Sequence, residues 1–319
     1  MTSIIFLFGG QGSQYYQMGA ELYHHDRDYQ RAFDHCAALA GITHGRTLIE
    51  SVFGQPMIES ESYDDLEETN LVLLAQGYAM AQSLKARGIQ PDALAGYSLG
   101  EFTAAVVSGA IALNEAIALL RANSQHVKRH APPASMLAVL ASPQIWLDDP
   151  DLARWGEIGC INSPQHFVVI AHPDVNNFLT QRLNQLEVHW AKLPIRNGFH
   201  SSLLDAAEKD YPSLIDGFRF SPPNCPTYSS YLAGRVHAYD GVHFWKTARG
   251  LVRFRDLIVN LWAAAPRVFV DCSPSGTLAA FIKQILGPSA PVYSTINRFG
   301  RNIETMEQIE KAYKEALSR

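Results

Sequence analysis

Short apolar runs that end at glycine alternate with segments of helical periodicity in the two outer parts of the chain. Residues 4–8 run into Gly9, and residues 93–95 run into Gly96, so both runs are predicted to be buried strands. A third run, residues 268–271, precedes a Pro-Ser-Gly turn and another helical stretch. Strands that alternate with helices are typical of a parallel sheet covered by helices, so these parts are predicted to be α/β.

The pattern changes in the middle of the chain. There it predicts strands and helices in the order β-α-β-β-α-β, at residues 136–141, 143–155, 158–162, 167–171, 174–186 and 188–195. This order is that of a small ferredoxin-like unit. We therefore predict a small ferredoxin-like subdomain at 127–197, inserted into a large subdomain made of residues 1–126 and 198–319.

Composition narrows the classes of protein. The chain has 319 residues, of which 47% are hydrophobic and 18% charged, and this suffices for a buried core. A net charge of -5 offers no overall electrostatic footprint for nucleic acid. The most apolar stretch, residues 103–120, is interrupted by Asn114 and Glu115 and is too polar to span a membrane. Neither nucleic acid nor a membrane is therefore predicted as a partner.

The cysteines and the N-terminal residues bear on compartment and cofactors. The four cysteines are widely spaced and form no C-x-x-C pair, which argues against a zinc site or a redox dithiol: Cys36, Cys160, Cys225 and Cys272. Residues 1–8 lack the basic segment of a signal peptide and are interpreted as a first strand. The sequence thus predicts a cytoplasmic protein with no metal and no cofactor.

Gly96-Tyr97-Ser98-Leu99-Gly100 matches the G-x-S-x-G pattern of a nucleophile elbow. The context that confirms this pattern is a strand before it and a helix after it, and both are predicted here. The outer positions must be small because the turn between strand and helix is too tight for side chains. Ser98 then lies at a helix N-terminus, where backbone N–H groups point at a developing negative charge. A glycine-rich turn with an ordinary N-cap serine is the alternative interpretation.

A serine nucleophile needs a base, and His200 is the candidate among twelve histidines. It lies in Asn-Gly-Phe-His-Ser-Ser at 197–202, where the chain returns from the inserted unit to the main sheet. The sequence by itself does not pair His200 with Ser98, and a structural loop histidine is the alternative.

A glycine-rich loop, Gly-Gly-Gln-Gly-Ser-Gln at 9–14, follows the first strand. A phosphate cradle is one interpretation, but Tyr15 stands where G-x-G-x-x-G requires glycine, and no Gly-Lys-Ser/Thr follows. The other interpretation is an oxyanion-hole loop, in which the backbone N–H of Gln11 donates to the thioester oxygen.

Together these motifs resemble the malonyl-CoA:acyl-carrier-protein transacylase-like acyltransferase family of fatty-acid and polyketide synthesis. The resemblance covers nearly the whole chain. It is carried by GQGSQ at 10–14, GYSLGE at 96–101, CINSP at 160–164, GFHS at 198–201, LVRF at 251–254 and DCSPSGTL at 271–278. The opening FLFGGQGSQYYQMG and GFHSSLLD at 198–205 are similar to the stand-alone, trans-acting acyl hydrolases of polyketide systems.

The resemblance implies an α/β-hydrolase-like large subdomain with a ferredoxin-like insert, and ping-pong acyl transfer through an ester of Ser98. It implies that His200 is the base, and that the backbone N–H groups of Gln11 and Leu99 form the oxyanion hole. A backbone carbonyl, expected at Arg253, would orient the histidine. Asn162 matches a family position with a supporting role in substrate binding. The implied partner is an acyl carrier protein with a phosphopantetheine-linked acyl chain, or an acyl-CoA.

Position 123 departs most from the family. Malonyl-type members carry an arginine there, on the helix after the elbow, which pairs with the free carboxylate of the substrate. This chain has Asn123, which has no charge to offset a buried carboxylate. Arg121 lies two residues earlier, about 200° around a helix, and is expected to face elsewhere.

Three further positions bear on substrate choice. Asn70 stands where many members have glutamine, and Tyr97 stands where the family has histidine. Phe199, just before His200, matches malonyl-selective members. It therefore favours malonyl as the acyl group, whereas Asn123 argues against malonyl. Tyr97, Phe199, Asn123 and Asn162 are therefore the predicted substrate-binding residues.

The first hypothesis is an acyl-carrier-protein hydrolase that removes acyl chains in a proofreading role. The second is a transferase that moves a malonyl, uncharged or unusual acyl group onto a carrier protein. The third, from another class, is a non-catalytic docking subunit. Hydrolase and transferase differ only in whether water or a thiol reaches the acyl-serine, and the sequence does not decide between them.

Overall fold

Two separate β-sheets organise the computed structural model, which describes residues 3–54 and 63–317. Within these residues the strands are β1 (Ser3–Phe8), β2 (Ala93–Gly96), β3 (Ser135–Leu140), β4 (Glu157–Ser163), β5 (His166–Ala171), β6 (His189–Lys192), β7 (Thr227–Ser229), β8 (Gly234–Val236), β9 (Arg267–Asp271) and β10 (Val292–Ser294). The predicted strands at 4–8, 93–95 and 268–271 coincide with β1, β2 and β9.

Helices cover both sheets. Those in the described residues are α1 (Ala20–His25), α2 (Arg27–Ala40), α3 (Leu48–Phe53), α4 (Leu66–Ala86), α5 (Gly100–Val107), α6 (Leu113–His130), α7 (Gln144–Asp148), α8 (Pro150–Trp155), α9 (Asn176–Gln185), α10 (Tyr211–Ile215), α11 (Gly241–Arg249), α12 (Phe254–Ala264), α13 (Thr277–Leu286) and α14 (Asn302–Leu317). Two 3₁₀ helices, Pro173–Val175 and Ser202–Ala207, complete the set. Within 3–54 and 63–317, every helix is too short or too polar to cross a membrane.

The larger sheet has the order β10-β9-β1-β2-β7-β8, with five parallel strands and an antiparallel edge strand, β8. The central strand β1 sends Phe6 and Phe8 into one core and Ile5 and Leu7 into another. Both of its faces are therefore covered, as is usual for parallel strands. The predicted α/β fold is confirmed. Because β1, β2 and β9 run in parallel, their carboxyl ends lie at one edge, where open α/β sheets bind ligands.

The smaller sheet is antiparallel with the order β4-β5-β3-β6, which is the ferredoxin-like arrangement predicted from the β-α-β-β-α-β pattern. One face packs against helices α7, α8 and α9 through Trp146, Leu152 and Leu179. The predicted helix at 143–155 is two helices. Pro150 pushes Asp149 into an extended conformation, and the Asp149 carboxylate then caps α8.

The other face of the smaller sheet packs on the large subdomain, where Met136 and Val168 share a core with Leu7 and Phe254. Two backbone hydrogen bonds join the subdomains: Val252 N–H donates to Gly159 O at 2.9 Å, and Ile161 N–H donates to Val252 O at 2.8 Å. A cleft lies beside this contact. The predicted limit at residue 127 falls inside α6, and the exact subdomain boundaries stay a prediction.

Candidate active site

Ser98 lies in a strained turn between β2 and α5. Its backbone has φ of 53°, in the left-handed region that non-glycine residues rarely adopt. A Cβ atom on Gly96 would lie 2.5 Å from Glu101 Cα, and one on Gly100 would overlap the carbonyl oxygen of Phe8. The glycines at both ends of G-x-S-x-G thus allow the close approach that presents Ser98 at the carboxyl edge of the sheet. Strain of this kind is concentrated at functional sites.

His200 stands opposite this serine. Its Nε2 lies 2.7 Å from Ser98 Oγ, and its Nδ1 lies 2.9 Å from the carbonyl oxygen of Gly250. Because a carbonyl oxygen can only accept, Nδ1 carries the proton and Nε2 is the acceptor for the serine hydroxyl. The backbone of His200 has φ of 63°, and its N–H donates to Ala248 O at 2.8 Å. The structure brings together the two residues that the sequence left unpaired.

The carbonyl that orients His200 belongs to Gly250, so the assignment to Arg253 is wrong. Gly250 follows the end of α11 in an extended conformation, and its carbonyl oxygen faces the imidazole. Arg253 is instead the N-cap residue of α12, and its carbonyl oxygen accepts from Leu257 N–H at 3.0 Å. An oxygen used by the first turn of a helix is not available to the histidine.

Burial shifts the acid–base behaviour of His200. The side chain is 5% exposed, and this desolvation lowers the pKa of His200 from its usual value to about 4, although the Gly250 carbonyl acts in the opposite direction. The imidazole is therefore neutral near pH 7, which is the form that can accept a proton from Ser98.

A buried polar cluster lies behind the elbow, and the sequence analysis did not identify it. The Glu101 carboxylate accepts from Ser229 Oγ at 2.6 Å and lies 2.6 Å from His243 Nε2 and 3.3 Å from Thr247 Oγ1. Glu101 is fully buried. The Glu101–His243 contact joins α5 to α11. The carbonyl groups at the C-terminal end of α11 accept hydrogen bonds from His200. Only the glutamate that ends GYSLGE could have signalled this cluster.

The loop after β1 lies against the elbow. A Cβ atom on Gly10 would be 3.3 Å from Leu99 N, and the side chain of Gln11 donates to Asn70 Oδ1 at 2.7 Å. Among the described residues, the backbone N–H groups of Gln11 and Leu99 form no hydrogen bond. Two free donors beside a serine are what an oxyanion hole requires.

Ser98, His200, Gln11 and Leu99 line one cavity between the subdomains. The rest of its wall is mainly apolar and consists of Tyr97, Phe102, Met136, Cys160, Val168, Leu193, Ile195, Phe199, Phe244 and Ala248, with Asn70, Asn123 and Thr247 as further polar residues. None of the described residues that line it is a lysine, arginine, aspartate or glutamate. The described residues also contain no cluster of three potential metal ligands.

Asn123 and Arg121 lie on different faces of α6, as their spacing of two residues predicts. Asn123 is 5% exposed and lines the cavity. Arg121 points away from it, donates to Glu67 Oε1 at 2.7 Å and also binds the carbonyl oxygen of Ala40. Arg121, the cationic residue closest to Asn123 in sequence, therefore binds other groups and does not face the cavity.

Tyr97 lines this cavity and also a second pocket in the cleft, whereas Asn162 lines the second pocket but not the cavity of Ser98. The Tyr97 hydroxyl donates to Asn162 Oδ1 at 2.8 Å, and Asn162 Nδ2 lies 3.1 Å from His166 Nδ1. His166 is a cleft residue that the sequence analysis missed, since nothing in its local pattern marks it. Phe199 lines the serine cavity, as expected of a substrate-contacting residue.

Comparison with known proteins gives matches that extend over nearly the whole chain. The model of the acyl transferase domain family matches residues 5–317. The chain is 32% identical over 309 residues to the polyketide biosynthesis acyltransferase homolog PksD of Bacillus subtilis (strain 168), and the match covers 96% of this chain and 95% of that one. It is 31% identical, with the same coverage, to the homolog BaeD of Bacillus velezensis.

Solved structures share the fold. A loading acyltransferase from the avermectin modular polyketide synthase superposes with a TM-score of 0.88 at 23% identity, covering 98% of this chain and 99% of that one. The malonyl CoA-acyl carrier protein transacylase from Clostridium perfringens superposes with a TM-score of 0.84 at 20% identity, with full coverage of both chains.

Proposed function

The chain belongs to the family of acyl transferase domains, and on that premise we propose that it is a serine-dependent acyl-carrier-protein hydrolase. Ser98 attacks the carbonyl carbon of an acyl thioester while His200 accepts the hydroxyl proton, and that proton leaves with the carrier thiol. Water then attacks the Ser98 ester, again with His200 as the base. A carboxylic acid is released and Ser98 regains its proton. The observation that carries the proposal is the 2.7 Å contact between Ser98 Oγ and His200 Nε2.

The polar groups around this pair support the individual roles. The N–H groups of Gln11 and Leu99 would stabilise the oxyanion, since both residues line the cavity and neither N–H has a partner among the described residues. The strained φ of Ser98 argues against a non-catalytic docking subunit, because a docking surface has no use for that strain.

The acyl group is proposed to be uncharged. The described lining of the cavity offers no cation, and Asn123 stands where malonyl-type members have arginine. A carboxylate buried there would lack a charged partner, which is costly. Phe199 favours malonyl only through the family pattern, and its ring supplies no charge. An acyl group without a carboxylate is thus favoured.

The test compares acetyl- and malonyl-loaded carrier protein, with free acid and product transferred to a second thiol quantified separately. We expect free acid without an acceptor, and a preference for acetyl of at least about tenfold, since a charge-assisted hydrogen bond contributes roughly 1.5–3 kcal/mol. Ser98→Ala should abolish turnover and the covalent acyl adduct seen by mass spectrometry. An adduct on the alanine variant contradicts the mechanism, and transfer with negligible free acid favours a transferase, the activity that the relatives' names suggest.

A further inference from the structure

Asn123 is a buried side chain without a hydrogen-bond partner. It is 5% exposed, its Oδ1 is buried and unpaired, and neither side-chain atom forms a hydrogen bond with the described residues. Since buried amide groups almost always have partners, this exception calls for a reason. The amide lies on the wall of the cavity that Ser98 and His200 open onto.

The neighbouring polar groups cannot supply the missing partner. Asn70 uses its Oδ1 to accept from Gln11 and its Nδ2 to donate to Ser124 Oγ at 2.9 Å. Ser124 Oγ in turn donates to Leu120 O at 2.7 Å. The Thr247 hydroxyl is directed toward Glu101. Most of the other side chains that line the cavity are aromatic or aliphatic, so a polar group of a bound substrate is well suited to pair with the Asn123 amide.

We propose that the cavity selects short acyl chains that carry a hydroxyl group, and that Asn123 is the residue that binds the hydroxyl. The inference rests on the proposed function and names its substrate class. A hydroxyl both donates and accepts, so it satisfies the amide whichever of its two atoms it meets. An alkyl chain would fill the same space and leave the amide unpaired, which disfavours it.

The size of the cavity limits the chain. The volume of the cavity is about 70 Å³. One water molecule needs about 10–15 Å³ of such volume. This leaves room for only a few heavy atoms beyond the carbonyl. The hydroxyl that Asn123 binds is therefore expected on the carbons closest to the thioester.

The test uses pantetheine thioesters in which a methyl group replaces the hydroxyl: 3-hydroxybutyryl against 3-methylbutyryl, and 2-hydroxypropionyl against 2-methylpropionyl, with both enantiomers of each hydroxyacyl chain. The wild type should show a kcat/KM at least about tenfold higher for the hydroxyl member of one pair, which is ~1.4 kcal/mol. Asn123→Leu has the same shape without polar atoms and should bring that ratio to one or below. Asn123→Ala should also abolish the preference and serves if the leucine variant does not fold.

Asn176→Leu is the matched control, because Asn176 also has a buried, unpaired Oδ1 but does not line the cavity. Its hydroxyl-to-methyl ratio and its basal rate should equal those of the wild type. A ratio that Asn123→Leu leaves unchanged, or a wild type that prefers the methyl member of both pairs, overturns the inference. If no thioester is cleaved in a Ser98-dependent way, the proposed function itself fails, and the two failures are thereby distinguished.

Discussion

Two buried histidines flank the elbow, and they face different partners. His200 lies between the Ser98 hydroxyl and the neutral carbonyl of Gly250, on the side of the cavity. His243 lies behind the elbow with its Nε2 2.6 Å from the Glu101 carboxylate. A neutral acceptor fixes the ring and its tautomer without adding charge, so His200 stays free to accept a proton. A carboxylate makes a strong contact that holds two helices together, which suits His243.

The two sites are also connected. Helix α11 carries His243 in its first turn, and the residues at its C-terminal end, Ala248 and Gly250, hold His200 by two hydrogen bonds. The Glu101–His243 contact can therefore influence His200 only through the helix, whereas His200 contacts Ser98 directly. The difference predicts that one histidine matters for rate and the other for stability.

Replacement of His200 should lower activity, and this tests the catalytic half of the comparison between the two histidines. His200→Ala should slow acylation of Ser98 by on the order of 10² or more, because the proposed general base is lost. The measurement is the rate of acyl-enzyme formation by mass spectrometry. His200→Asn is the matched variant, since asparagine tolerates the left-handed φ of this position better than alanine. Near wild-type acylation by both variants would show that another group is the base.

Replacement of Glu101 should lower the stability of the fold, and this tests the structural half of the comparison, the contact with His243. Glu101→Leu leaves Ser229, His243 and Thr247 without their buried acceptor. A buried hydrogen-bonding group left without its partner costs about 1–3 kcal/mol, so the free energy of unfolding should fall by at least that amount. Glu101→Gln keeps an acceptor oxygen for Ser229 and should lose less. Urea denaturation checks both values, and a leucine variant as stable as the wild type would contradict the stabilising role of the Glu101–His243 contact.

The sequence carried the parts of the fold and site that depend on local pattern. Short continuous apolar runs revealed β1 and β9, and the turn glycines around Ser98 revealed the elbow. The strands β7, β8 and β10 have only three residues each, too few for a periodicity to be read. Contacts between distant segments, such as Gly250 with His200 across 50 positions, have no local signal and required the fold.

The lowered pKa of His200 predicts a pH dependence of the free energy of unfolding that can be assigned to this residue. Its pKa is about 4 in the folded protein and about 6.5 in the unfolded chain, so between these values the unfolded state binds a proton that the folded state does not.

The free energy of unfolding should therefore fall by about 3 kcal/mol as the pH decreases from about 7.5 to about 4, and the contribution should be constant above about pH 7.5. Tyr97 and Cys160, which line the same cavity, do not titrate in this range because burial raises the pKa of each, that of Cys160 to about 12. Chemical denaturation of the wild type and of His200→Asn across this range gives the difference directly, since the other carboxylates and histidines contribute equally to both proteins. A difference that does not vary with pH would contradict the lowered pKa of His200.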